Sequence, residues 1–285
     1  MSVPMEASAA LQPARSPAFG SVLGTCGLAA LLYALAVGHL WPEAALMWPL
    51  LSVFLAAAIG AVAGFGFAPI CAVMLVHLIG DPVRIVALIL VGSIALQLLY
   101  IIRLWRQMDW HGGLFFLVGA LATLPFGLML LQGMTGRGHA MILGGLLVAY
   151  AGWMLWRPAT QWRVGRQPGS DVLVGALGGI TGGIAGFPSA PLVAWCGLLG
   201  LCRIETRSLI QPYIVVIQIA ALLLLHLTQP SGRATPGLDP TLLLAMAPAL
   251  FGTLSGLALY ERLSDRQFGR AVNLLLLVSG LGMLV

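Results

Sequence analysis

The sequence contains no lysine: all 14 basic residues are arginine. Gly-x-x-x-x-Gly-Lys is therefore impossible, and with it a P-loop ATPase. Charge of either sign is scarce. Charged residues make up 8% of the chain and hydrophobic ones 60%, whereas a soluble domain carries about 25% charged residues. A water-soluble globule is excluded, as are a disordered chain and a disulfide scaffold. Cys26, Cys71, Cys196 and Cys202 show no CxxC spacing and lie in or beside apolar runs, so they read as small buried thiols. The nine carboxylates all fall at segment ends or in loops, which leaves no buried proton-relay carboxylate. No His/Cys cluster has zinc spacing and no Ser-His-Asp set can be assembled. Neither a catalytic site, a metal nor a cofactor is expected.

What the chain does have is apolar length. Nine charge-free stretches, from 16–42 to 271–285, follow one another along its 285 residues. A helix crosses the roughly 30 Å bilayer core with about 20 residues. The stretches do not alternate polar and apolar residues, so a transmembrane β-barrel is excluded. The expected fold is an all-α polytopic membrane protein with little mass outside the lipid bilayer. The arginines are scattered singly between segments, which argues for setting orientation and against nucleic acid, despite a net charge of +5. Residues Ala18–Leu40 form the first apolar run. Ala34-Leu35-Ala36 has the form of a signal cleavage site, but the run exceeds a usual signal core, and an uncleaved first helix is expected.

A repeat divides the remainder. Residues 60–69 read GAVAGFGFAP and residues 182–191 read GGIAGFPSAP, six of ten positions being identical at an offset of 122. A weaker match follows at offset 129, where Ala120-Leu121 and Gly127-Leu128 pair with Ala249-Leu250 and Gly256-Leu257. The expected organisation is an N-terminal tail and first helix (1–47), a first membrane repeat (48–157), a cytoplasmic linker (158–170) and a second repeat (171–285). Each motif interrupts its own apolar stretch, because proline removes a backbone donor and glycine frees the chain. In the second half the flanking pieces are about 15 residues, or about 22 Å each, too short to cross. A hairpin that enters and leaves on one side fits.

Arginine counting supports hairpins. With each broken stretch treated as a hairpin and the N-terminus in the cytoplasm, only Arg84, Arg137 and Arg233 fall outside, and the other eleven arginines inside. Treated as single spans, the stretches give eight against six, hardly a bias. One hairpin plus three spans per repeat makes the two halves inverted, the architecture of secondary transporters.

The paired Gly-rich breaks, each followed by Ala-Pro, resemble the sulfite exporter TauE/SafE family of membrane transporters. So do the run Gly252-Thr253-Leu254-Ser255-Gly256 and the ending Phe268 … Leu274–Leu277 … Ser279-Gly280. The resemblance covers roughly residues 48–285. It implies secondary transport, often export, of sulfur-containing anions such as sulfite or organosulfonates. Where family members often carry a Gly-Gly-Gly cluster, this chain has Gly64-Phe65-Gly66 and Gly186-Phe187-Pro188. The particular substrate is left open by that departure.

A broken hairpin presents a helix N-terminus inside the membrane, and its unpaired N–H groups suit a small anionic substrate. The expected substrate site is Gly64, Phe65, Gly66, Phe67, Ala68 and Pro69 with Gly186, Phe187, Pro188, Ser189, Ala190 and Pro191. Ser189 and Thr181 are the candidate hydroxyl donors. Gln97 and Gln218 stand at nearly equivalent positions of the two repeats and are expected to face the protein interior. The blander readings are that the glycines only permit close helix packing and that the glutamines only bond between helices. An anion channel or passive pore on the same hairpins is the alternative function, and a membrane assembly factor a further one. The sequence leaves open the coupling ion, a proton or sodium, and a homo-oligomeric state. The expected location is the cell membrane, as in a bacterial inner membrane.

Overall fold

A computed structural model describes residues 46–63, 66–104, 106, 108–156, 165–228, 240–260 and 265–284. All lie in one compact unit, Trp41–Val285. The expected first helix and its cleavage site, Gly64 and Phe65, most of the linker and the loop 229–239 lie outside the described residues. Every regular element among the described residues is a helix.

The first half holds α1 (Met47–Ala63), α2 (Phe67–Val76), α3 (Pro82–Leu104), α4 (Leu114–Gly133) and α5 (Gly136–Trp156). The second holds α6 (Pro168–Ala185), α7 (Ser189–Leu198), α8 (Arg203–Leu227), α9 (Met246–Tyr260) and α10 (Asp265–Leu284), with a short helical turn, Pro240–Leu243, ahead of α9. The starts follow local chemistry. Pro82 and Pro168 open α3 and α6, where a missing N–H costs nothing. Asp81 accepts from Val83 N at 3.0 Å and Thr135 from Gly138 N at 3.2 Å, each meeting a donor the first turn leaves over. Pro212, inside α8, cannot bond the carbonyl of Ser208; Asp109 N donates to that carbonyl instead, at 3.1 Å.

Both broken stretches are hairpins. A Cβ on Gly182 would sit 3.0 Å from Pro188 Cβ, and one on Gly178 would sit 2.8 Å from Pro188 O and 3.3 Å from Leu192. In the first half a Cβ on Gly60 would meet Phe67 N at 2.6 Å. The arms are unequal, however, which corrects the expectation of about 15 residues on each side. They hold 17 and 10 residues in the first hairpin, 18 and 10 in the second. The longer arm reaches about 27 Å, so arm length alone did not force the reversal. The misjudged boundary has a physical cause. Asp171 ended the charge-free stretch, yet it is buried within the first turn of α6 at 1% exposure. Arg166 Nε donates to its Oδ2 at 2.7 Å and Trp195 Nε1 to its Oδ1 at 3.0 Å. Arg166 Nη2 also donates to Gly112 O, and the guanidinium lies 5.5 Å from the Phe116 ring centroid. A carboxylate at a segment end is thus buried as one member of a satisfied cluster.

The halves are inverted and interlocked. Gly119 lies on Val172, and Gly127 on Ile180 and Gly183, so α4 and α6 run parallel. Gly252 lies on Phe54 and Gly256 on Ala58, so α1 and α9 run parallel as well. With successive helices alternating in direction, the two first arms, α1 and α6, point opposite ways. Each first arm packs on the opposite half, α3 packs on α8, and α5 on α10. Small residues make these seams, as expected where lipid supplies no hydrophobic drive between helices. Thr123 adds a bond across one seam, Oγ1 to Ala176 O at 2.7 Å.

The chain ends sort into two sets. Gln132 Nε2 donates to Thr228 Oγ1 at 2.8 Å and Gly136 lies beside Gly80, so those turns share one end. Asp109 meets Ser208, and Arg166 meets Gly112, at the other. Arg84 and Arg137 belong to the first end; Arg106, Arg166 and Arg207 belong to the second. Among the described residues, four helices, α3 and α8 included, are long and apolar enough to span a bilayer. The windows of α3 and α8 are 72% and 61% buried against 39% and 33% in α4 and α5, so α3 and α8 form the centre.

Candidate functional site

The tip of the second hairpin is built from three residues. Gly186 takes φ 65° and ψ 17°, a left-handed conformation that a side chain disfavours. Its N–H bonds Gly182 O at 3.0 Å, the bond of an αL cap, and Phe187 N bonds Thr181 O at 3.4 Å beyond it. Pro188, at φ −71°, then opens α7. In both hairpins the second arm starts with two donors and a proline in third place: Phe67, Ala68, Pro69 in α2 and Ser189, Ala190, Pro191 in α7. Proline there forfeits a donor the first turn could not have bonded.

The two tips border one cleft. Its atom-free space is about 410 Å³ with open solvent included, and its free interior has room for little more than a water molecule. Of the residues expected at the site, Phe67, Ala68, Gly186, Phe187, Pro188, Ser189, Gln97 and Gln218 line it. Gly66, Pro69, Ala190 and Pro191 belong to the same turns without lining the cleft. Thr181 departs from expectation: its hydroxyl donates back to Leu177 O at 3.1 Å, since it points along its own helix.

α3 supplies the opposite wall. Ser93, Gln97 and Tyr100 recur at helical spacing along the middle and lower part of that helix and all line the cleft. Gln218 Nε2 donates to Ser93 Oγ at 2.7 Å, a bond between α8 and α3 deep in the protein. Gln97 is 7% and Gln218 1% exposed, and among the described residues neither Oε1 has a hydrogen-bond partner. Ser189 is 3% exposed. Among the described residues, no charged side chain lines the space. Phe187 stacks edge-on against Tyr150 at 5.3 Å, which fixes the tip against α5.

Sequence reasoning missed Gly60, Ala61, Ser93, Leu96, Tyr100, Ile214 and Thr253. Two signals were available. Gly60 heads the repeated decapeptide and pairs with Gly182; both let hairpin arms close at the tip. Ser93 and Tyr100 share a helical face with Gln97. The repeat also aligns Phe67 with Ser189, so one tip offers a ring where the other offers a hydroxyl.

The TauE family profile, described as sulfite exporter TauE/SafE, matches residues 48–283, most of the chain and all but the first residue of the two hairpins. The chain belongs to the sulfite exporter TauE/SafE family. No curated protein and no solved structure matches it. As a TauE/SafE member it is a multi-pass membrane protein of a transporter family. The arrangement in this TauE/SafE chain can offer backbone and hydroxyl donors to a small polar solute in a site bordered by both repeats.

Proposed function

We propose that the protein is a secondary transporter that carries small sulfur-containing oxyanions, such as sulfite or organosulfonates, out across the cell membrane. The solute binds between the hairpin tips. One observation carries this reading: tips from two oppositely directed repeats border the same cleft, together with buried Ser189, Gln97 and Gln218. Helix N-termini offer unpaired donors and a partial positive charge, so an oxyanion can be held without a buried arginine. Inverted repeats supply two equivalent arrangements of one scaffold, opening to opposite sides around a shared site. The small free interior of the cleft favours such a cycle over an open pore. The arginine distribution, with Arg84 and Arg137 at one end and the larger set at the other, supports a cytoplasmic N-terminus.

The test is flux of labelled sulfite and several organosulfonates in proteoliposomes, with and without imposed proton and sodium gradients. A transporter will accumulate solute against its gradient when coupled; a pore will only equilibrate it. Ser189→Val and Gln218→Leu each remove a polar partner of a charged solute, worth about 1.5–3 kcal/mol, so flux per folded molecule should fall about tenfold or more. Wild-type flux in both variants would retire the cleft as the site.

A further inference from the structure

We infer that His139 is a positioning residue for transport: from α5 it holds the carbonyl of Ile184, and with it the tip of the second hairpin, where that tip borders the cleft. The inference rests on the reading that the cleft holds the transported solute.

The need for such a residue comes from the break itself. In a continuing helix Ile184 O would accept from the N–H of residue 188. Residue 188 is proline, and the chain has already turned left-handed at Gly186, so the helix cannot supply that bond. His139 supplies it from another element. Its Nε2 lies 2.9 Å from Ile184 O, and because a carbonyl only accepts, Nε2 is the donor. His139 is 0% exposed and does not line the cleft, so it can act on the solute only through the tip.

A second contact grips the same turn. Tyr150 lies about three turns further along α5 on the same face, and its ring meets Phe187 edge-on at 5.3 Å. Ile184 and Phe187 flank Gly186, so α5 holds the chain on both sides of its left-handed residue. α5 is itself braced on α10, where a Cβ on Gly144 would meet Gly280 O at 2.7 Å. The internal repeat adds an independent observation. At the offset of 122, Ile184 corresponds to Val62 and Pro188 to Gly66, which keeps its N–H; at the offset of 129, His139 corresponds to Phe268. Of these equivalent positions, histidine stands in the half where proline has removed the donor.

The experiment compares His139→Gln, His139→Asn and His139→Met in the full chain. Glutamine carries an N–H as many bonds from Cα as Nε2 and cannot exchange a proton; asparagine carries one a bond closer, and methionine none. Two readouts are taken per folded molecule: KM and maximal rate of labelled sulfite flux in proteoliposomes, and amide hydrogen exchange of residues 182–190 in micelles without solute. Loss of the donor to a buried carbonyl should speed exchange of that segment and raise KM about fivefold or more in the asparagine and methionine variants, with the maximal rate changing less. Glutamine should restore both. Should methionine prevent folding, the glutamine and asparagine variants decide. Less folded protein at unchanged KM and exchange would make His139 a packing residue and overturn the inference, as would failure of glutamine to rescue. Faster exchange at unchanged KM would overturn the role in transport. Absence of sulfite flux in the unaltered protein would overturn the transport reading instead, while exchange would still show whether His139 holds the tip.

Discussion

Replacing Gly127 with alanine tests the seam on which the interlock of the two halves depends. The new Cβ would stand 2.7 Å from Ile180 O and 3.2 Å from both Gly179 O and Gly183 Cα. Those are backbone atoms of α6 and cannot swing aside. Ordinary contact begins near 3.4 Å, so α4 and α6 must part by about 0.7 Å. Overpacking of this kind costs about 1–3 kcal/mol. Alanine regains about 0.5–1 kcal/mol of helix propensity, which leaves a net loss of up to about 2.5 kcal/mol. Gly152 provides the control. It lies inside α5 with nothing within 4 Å of its would-be Cβ, so Gly152→Ala should be neutral or slightly stabilising. Gly256 occupies the equivalent place in the α1–α9 seam, where a Cβ would press on the Ala58 backbone. The overlap there is deeper than at Gly127, so Gly256→Ala should cost more, and the double variant about the sum, since the seams are separate. The assay is equilibrium unfolding of purified protein in mixed detergent micelles. If Gly127→Ala were as stable as Gly152→Ala, the close-packed seam would be refuted.

Two further outcomes follow from the same geometry. Gly186→Ala should cost about 1–2 kcal/mol for a left-handed alanine, with added pressure because its Cβ would lie 3.0 Å from Ile89 Cγ2; sulfite flux and thermal stability should both fall, and an unchanged melting temperature would contradict the cap. Single cysteines at 108–111 and 165–167, in a background with Cys26, Cys71, Cys196 and Cys202 replaced, should react with an impermeant reagent only from the cytoplasmic side, and those at 132–135 only from outside. Labelling of 165–167 from the same side as 132–135 would break the inverted arrangement.

Much of the architecture was legible because it depends on local quantities. Glycine and proline clustered at 64–69 and 186–191 disfavour a continuing helix more than either does singly, so the breaks could be placed before any contact was known. Gln97 and Gln218 could be singled out because an amide at membrane depth must turn inward. The arms were harder. Their lengths followed from a charge count that treated Asp171 as a boundary, and only Arg166 and Trp195, brought alongside it by folding, allow that carboxylate to be buried. The glycines of 119, 127, 175, 179 and 183 look alike in a Gly-rich membrane chain. Which of them touch a neighbouring backbone depends on how each helix is rotated.

Composition and segment length by themselves determined that this chain is helical and membrane-spanning, because a bilayer leaves an apolar backbone few ways to satisfy its hydrogen bonds. The internal repeat and the arginine bias determined that its halves point opposite ways. Tertiary structure decided what meets in the middle. Ser93 from α3, Gln218 from α8, Thr253 from α9 and the tips of both hairpins are far apart along the chain, and they border one cleft only because small residues let α1 settle on α9 and α6 on α4. Periodicity names the inward face of a helix, but the partner across from it is chosen by the packing of backbones that the one-dimensional pattern does not contain.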